Sequence, residues 1–156
     1  KILHAPNHKK LQGSNFLIAA VNALKDEGLL IELKVLENAK NTEIIDAITE
    51  SDLIVDQLII GWYAMFALEA MALNKPVICY LRDDLEQLYI NAGLLEPGEI
   101  PIFNAQPSNI KKILRELYFD KNLLERKAKL GRSFVKKYHS IEAVSAHFTP
   151  ILKKLI

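Results

Sequence analysis

A single cysteine, Cys79, leaves the chain without an intramolecular disulfide and points to a structural thiol in a reducing compartment. No apolar run approaches about 18 residues, and no basic stretch leads into an apolar one at the start, so neither a transmembrane helix nor a signal peptide is visible. A cytoplasmic location is the expectation. His4, His8, His139 and His147 lack ligand-like spacing, and with one thiol they support no metal site; they read as structural or surface histidines. The Gly-x4-Gly-Lys phosphate loop and the Gly-x-Gly-x-x-Gly dinucleotide pattern are both absent. There is no internal repeat and no low-complexity segment. The first residue is Lys1 rather than methionine, and a strand follows at once, as in an excised piece of a longer polypeptide, so upstream residues are expected.

What is present suffices for one substantial core: 156 residues, half of them hydrophobic and a quarter charged, read as a single globular domain. The formal net charge of +1 hides an asymmetry. From Asn109 onward there are 12 Lys and Arg against 4 Asp and Glu, while residues 1–108 carry 8 basic and 15 acidic side chains. Basic C-terminal helices can face an anionic membrane surface or an acidic partner, or be ordinary solvated faces. No nucleic-acid partner is expected.

Strand and helix alternate along most of the chain. Ile2-Leu3-His4-Ala5 reads as a first strand, followed by a polar loop from Pro6 to Gly13. Ser14 can cap a helix with Leu17, Ala20, Val21 and Leu24 on one face, stopped by Gly28. Further strands are expected at Leu29 to Leu36, Asp52 to Gln57, Pro76 to Leu81 and Ile100 to Asn104, with helices at Thr42 to Thr49, Met65 to Leu73 and Asp84 to Ala92. Connections too long for hairpins argue a parallel, doubly wound five-stranded α/β sheet of order 2-1-3-4-5. After Pro107 the pattern is all-helical: Ser108, Asp120 and Ser140 cap three helices expected on one side of the sheet, the last kinked at Pro150. Ligands of such sheets bind at the carboxyl ends of strands 1 and 3, which are the loops Ala5 to Ser14 and Gln57 to Ala64.

Those loops carry suggestive chemistry. Asn7, Lys9, Lys10, Gln12 and Gly13 offer two ammonium groups, amides and the start of a helix, a combination suited to a diphosphate. The helix entered through Ala64, Met65 and Phe66 aims N–H groups at the same crevice. Glu69 is the one charged residue between Phe66 and Leu73, and a carboxylate there is either surface-facing or held for a ligand such as a ribose diol. Trp62 and Tyr63 can stack on a sugar or base, or pack the loop. Asp83-Asp84 reads as a pair of helix-start dipole partners.

The basic loop after strand 1, together with Leu68-Glu69-Ala70-Met71-Ala72 and Pro76-Val77-Ile78, resembles the donor-binding, C-terminal half of the two-Rossmann-domain (GT-B) glycosyltransferases, group 1, also called family four. The resemblance covers essentially the whole chain. It implies binding of a nucleotide diphosphate sugar as donor, transfer with retention and without an obligatory metal or other cofactor, and an N-terminal acceptor domain in the same polypeptide. By that resemblance Lys9 and Lys10 neutralise the diphosphate and Glu69 holds the ribose, the three carrying the catalytic assignment.

The chain also departs from the family. Of two glutamates with seven residues between them, the second maps onto Glu69 and the first falls at Gly61, so a sugar-contacting carboxylate is missing unless Asp56 or another nearby group substitutes. Gln12-Gly13 stands where Lys-Gly is usual, Ala64 and Asn74 replace glycines, and one β-α unit is lacking, since strand Leu29 to Leu36 passes through one short helix straight to strand Asp52 to Gln57. A non-catalytic nucleotide-binding or partner-docking module of the same fold, or a sugar-nucleotide epimerase, are the alternatives these departures leave.

Overall fold

The computed structural model describes residues 1–153. Its five strands are β1 (Ile2–His4), β2 (Leu33–Val35), β3 (Leu53–Val55), β4 (Val77–Cys79) and β5 (Phe103–Asn104). They form one all-parallel sheet in the order β2-β1-β3-β4-β5, as expected. The register places Leu3 beside both Lys34 and Ile54, and Ile54 beside Val77. The central strands are apolar without alternation because both faces are covered; Leu3, Ile54, Val55, Ile78 and Cys79 are all buried. Burial pushes the Cys79 thiol pKa up, which suits a packing role.

The helices are α1 (Lys9–Gln12), α2 (Ser14–Asp26), α3 (Asn41–Glu50), α4 (Met65–Ala72), α5 (Asp83–Asn91), α6 (Ile110–Phe119), α7 (Lys121–His139) and α8 (Ile141–Leu152). One face of the sheet packs on Leu17, Val21 and Leu24 of α2 and Ile110, Leu114 and Leu117 of α6. The other packs on Ala47 and Ile48 of α3, Ala67, Ala70 and Met71 of α4, and Phe134 of α7.

Local chemistry explains several boundaries and corrects others. Gly28 ends α2 with φ +92°, and Asn74 takes φ +59° at the turn before Pro76. Asp120 caps α7 through the amide of Leu123 at 2.9 Å, and Ser140 caps α8 through that of Ala143 at 3.2 Å. Ser108 does not cap α6; Asn109 occupies that position and its side chain instead accepts from the amide of Gln106 at 2.8 Å. The polar loop after β1 contains the short helix α1. Strand β2 is shorter than its apolar pattern suggests, since the Leu30 amide turns aside to the Tyr118 hydroxyl at 3.3 Å. The chain stays helical through Pro150, which lies in the last turn of α8.

The helices after Pro107 do not share one side. Helix α6 joins α2, whereas α7 crosses beneath the amino ends of the strands to reach α4 on the opposite face. Gly131 permits that crossing: a Cβ there would lie 3.0 Å from the Met71 Cγ. Helix α8 leaves the body of the domain with Ile141, Val144, Phe148 and Ile151 exposed. Among the described residues no helix is long and apolar enough to cross a membrane.

Candidate functional site

The carboxyl end of β1 is pinned by a residue that sequence spacing did not single out for a role. His4 and Ser14 are both wholly buried, with Nε2 of His4 2.7 Å from the Ser14 hydroxyl and Nδ1 2.8 Å from the Val55 carbonyl. A carbonyl only accepts, so Nδ1 carries the proton and Nε2 accepts from Ser14. Burial holds the imidazole pKa below its ordinary value and keeps it neutral. Ser14 therefore does not cap α2. Gly13 takes the capping position with φ +81°, and the Ser14 hydroxyl is spent on tying α2 to β1 and β3.

Gly13 is required twice over, since an added Cβ would also stand 3.1 Å from Cβ of Leu58. The Leu58 amide donates to the Gln12 carbonyl at 3.0 Å. The loop after β1 and the loop after β3 are thus in direct contact at Gly13. Gln12 turns its side chain back to accept from the His8 amide at 3.1 Å. Lys9 forms an ion pair with Glu37, which follows β2. Lys10 and Asn7 are exposed, and Lys10 has no acidic partner within ion-pair distance among the described residues.

The loop after β3 is organised by two buried polar side chains, Asp56 and Gln57. Gln57 Oε1 accepts from the amides of Ile60 at 2.7 Å and Gly61 at 3.2 Å, and its Nε2 donates to the Trp62 carbonyl. Gly61 has φ +94°, and a Cβ there would lie 2.5 Å from Cδ of Arg82, whose amide donates to the Gly61 carbonyl at 3.0 Å. This backbone excludes the glutamate that the resemblance places at position 61. Asp56 accepts from the Ala64 amide at 3.1 Å, fixing the start of α4. Burial pushes its carboxyl pKa up to about 6, an effect opposed by the Ala64 N–H and the Cys79 thiol. A buried carboxyl so perturbed, beside a helix start, makes Asp56 a candidate site residue.

Ala64 and Met65 are exposed at the N-terminus of α4 and Phe66 is half-buried, so the unbonded N–H groups of the first turn face the carboxyl edge. Glu69, one turn in and half-buried, accepts from Asn41 Nδ2 at 3.1 Å. This is the partner that the apolar surroundings of Glu69 demanded, and it comes from the start of α3. Trp62 and Tyr63 pack the loop: the Trp62 ring stacks on Tyr63 at 5.2 Å and on Tyr89 at 4.9 Å, and the Tyr63 hydroxyl lies 3.2 Å from His139 Nε2. Asp83 and Asp84 open α5, with Asp84 gripping Arg82 through two bonds of 2.9 and 2.5 Å.

The structure thus brings Lys9, Glu69 and the start of α4 to one edge, and adds Glu37 and Asn41, which local sequence patterns could not reveal because their partners lie on other elements. Among the described residues no three His, Cys, Asp or Glu side chains converge as metal ligands would.

The sequence matches no protein-family profile and no curated protein. The fold resembles the crystal structure of Anabaena Alr3699/HepE in complex with UDP-glucose, with a TM-score of 0.68 and 15% identity over 98% of this chain and 48% of that one. The chain spans about half the length of that protein, and at this identity the likeness is one of fold.

Proposed function

We propose that this chain binds a nucleoside diphosphate sugar at the carboxyl edge of β1, β2 and β3, as the donor domain of a retaining, metal-independent glycosyltransferase. The observation that carries the reading is Glu69, held at the start of the α3–α4 contact by Asn41 and one turn inside the N-terminus of α4. Its second oxygen suits a ribose diol, while the first-turn N–H groups of α4 from Met65 to Ala67 and the ammonium groups of Lys9 and Lys10 suit the diphosphate. Charge developing on that leaving group is where fixed dipoles and cations contribute most. The likeness in fold to a protein crystallised with UDP-glucose supports a nucleotide sugar as the ligand. An acceptor-binding wall would come from a longer polypeptide, in keeping with the 48% coverage of that chain.

Gly61 favours a second reading, a nucleotide-binding module that does not transfer sugar, because its φ and the Arg82 contact leave no room for a sugar-contacting carboxylate. Calorimetric titration of the chain with UDP, GDP, ADP and their glucose conjugates tests binding directly. Saturable binding that is lost in Glu69→Ala supports the site; heat without saturation for every nucleotide overturns it. A sugar conjugate that binds no tighter than its parent diphosphate favours the second reading.

A further inference from the structure

A concavity lies at the opposite edge of the sheet from the candidate site. It is a cavity of about 800 Å³, formed where α7 passes beneath the amino ends of β1, β3 and β4. That volume falls within the ~300–1,000 Å³ usual for small-molecule sites. Its floor is apolar: Ile2, Leu53, Leu114, Leu117 and Ala128 are buried beneath it. Its rim is not. Lys121, Glu125 and Lys129 follow one another along one face of α7 at i, i+4 spacing, and all three line the cavity.

Lys75 and Lys1, also on the wall, are engaged elsewhere, Lys75 with the Thr49 carbonyl at 2.8 Å and the Lys1 side chain with Glu32 at 3.8 Å. Lys121 and Lys129 have no acidic partner within ion-pair distance among the described residues. Leu30 stands at the mouth with 89% of its surface exposed, its amide held by the Tyr118 hydroxyl. Its exposed side chain offers apolar surface at the lip of the cavity.

We propose that this cavity binds one long-chain amphiphile, its linear apolar tail along the floor and against Leu30, its anionic carboxylate or phosphate head at the Lys121 and Lys129 rim. A tail alone would be indifferent to the lysines, and a free anion would have no use for the floor.

The test is titration of the whole chain with dodecanoate, dodecyl phosphate and neutral dodecanol, each below its aggregation limit, followed by amide NMR and calorimetry. Saturable one-to-one binding is expected, with shifts at Leu30, Ile31, Leu117, Tyr118, Leu124 and Ala128. The anion with the higher affinity identifies the head group. The Lys121→Glu, Lys129→Glu double variant should weaken both anions at least fivefold and leave dodecanol unchanged, while Glu125→Gln should tighten them. Leu30→Asp, at a position that supports no core contact, should weaken all three.

Absence of saturable binding, shifts centred on Ile141 and Phe148 of α8, indifference to charge reversal, or binding to anionic vesicles in place of the monomeric amphiphile would each overturn the proposal. Nucleotide titration reads the opposite edge of the sheet, so failure of either proposal leaves the other test intact.

Discussion

His4 and Ser14, ten positions apart in sequence, share a hydrogen bond of 2.7 Å in the interior, and that bond ties the start of α2 to the end of β1. Removing the Ser14 hydroxyl leaves Nε2 of a buried imidazole unsatisfied. Ser14→Ala should therefore cost about 1–3 kcal/mol in urea denaturation. A loss below a few tenths would mean that water replaces the hydroxyl.

Asp56 should give a recognisable pH signature. Its carboxyl titrates at about 6 in the folded chain against an ordinary value of 3.8, so between these the folded state binds more protons than the unfolded state. Its contribution is fully present below the lower value and lost as pH rises through the upper one, a span worth about 3 kcal/mol. His4 works in the other direction, since its folded pKa lies below 6.5 and stability is lost as pH falls. Comparison with Asp56→Asn isolates the first effect: the variant keeps an acceptor for the Ala64 amide and should be more stable than the parent by about 1–3 kcal/mol at pH 7.5 but not at pH 4. An equal difference at both pH values would contradict this assignment.

Nucleotide affinity should fall about ten- to a hundredfold in Glu69→Ala, because a hydrogen bond to a charged group is worth about 1.5–3 kcal/mol. Glu69→Gln should be milder. Unchanged affinity in a folded Glu69→Ala variant would assign the carboxylate solely to Asn41.

The Lys9–Glu37 pair makes a salt-dependent prediction. Glu37→Gln releases Lys9 for an anion and should tighten diphosphate binding, while Lys9→Ala should weaken it by a factor that shrinks as salt is raised. Calorimetry at two ionic strengths reads both, and an effect of Lys9→Ala that ignores salt would place Lys9 outside the anion's reach.

Gly61 should resist substitution. With φ +94° and Arg82 in contact, Gly61→Ala is expected to destabilise by about 1–3 kcal/mol, and Gly61→Glu should not improve binding of a sugar nucleotide over its diphosphate. A stable Gly61→Glu variant with enhanced sugar preference would show that the loop after β3 can reopen.

The sheet order was legible because it rests on local facts: apolar runs too short for helices, separated by amphipathic segments too long for hairpins, and right-handed parallel crossovers allow few topologies for that alternation. The stop at Gly28 and the caps Asp120 and Ser140 were legible for the same reason, since each acts within its own turn. Ser14 looked like a cap by the same local rule and was not, because a buried imidazole from another strand claimed its hydroxyl. Glu69 stood out as a lone carboxylate on an apolar turn, but its partner Asn41 lies 28 positions away and follows no sequence period. The crossing of α7 depended on Gly131 meeting Met71, a contact between elements that share no local pattern. Covalent order thus determined the elements and their sequence around the sheet, because periodicity and capping act over a few residues. Which polar groups meet at its carboxyl edge, and what cavity opens at the other, was decided only by packing, because those distances exist only after the helices have docked.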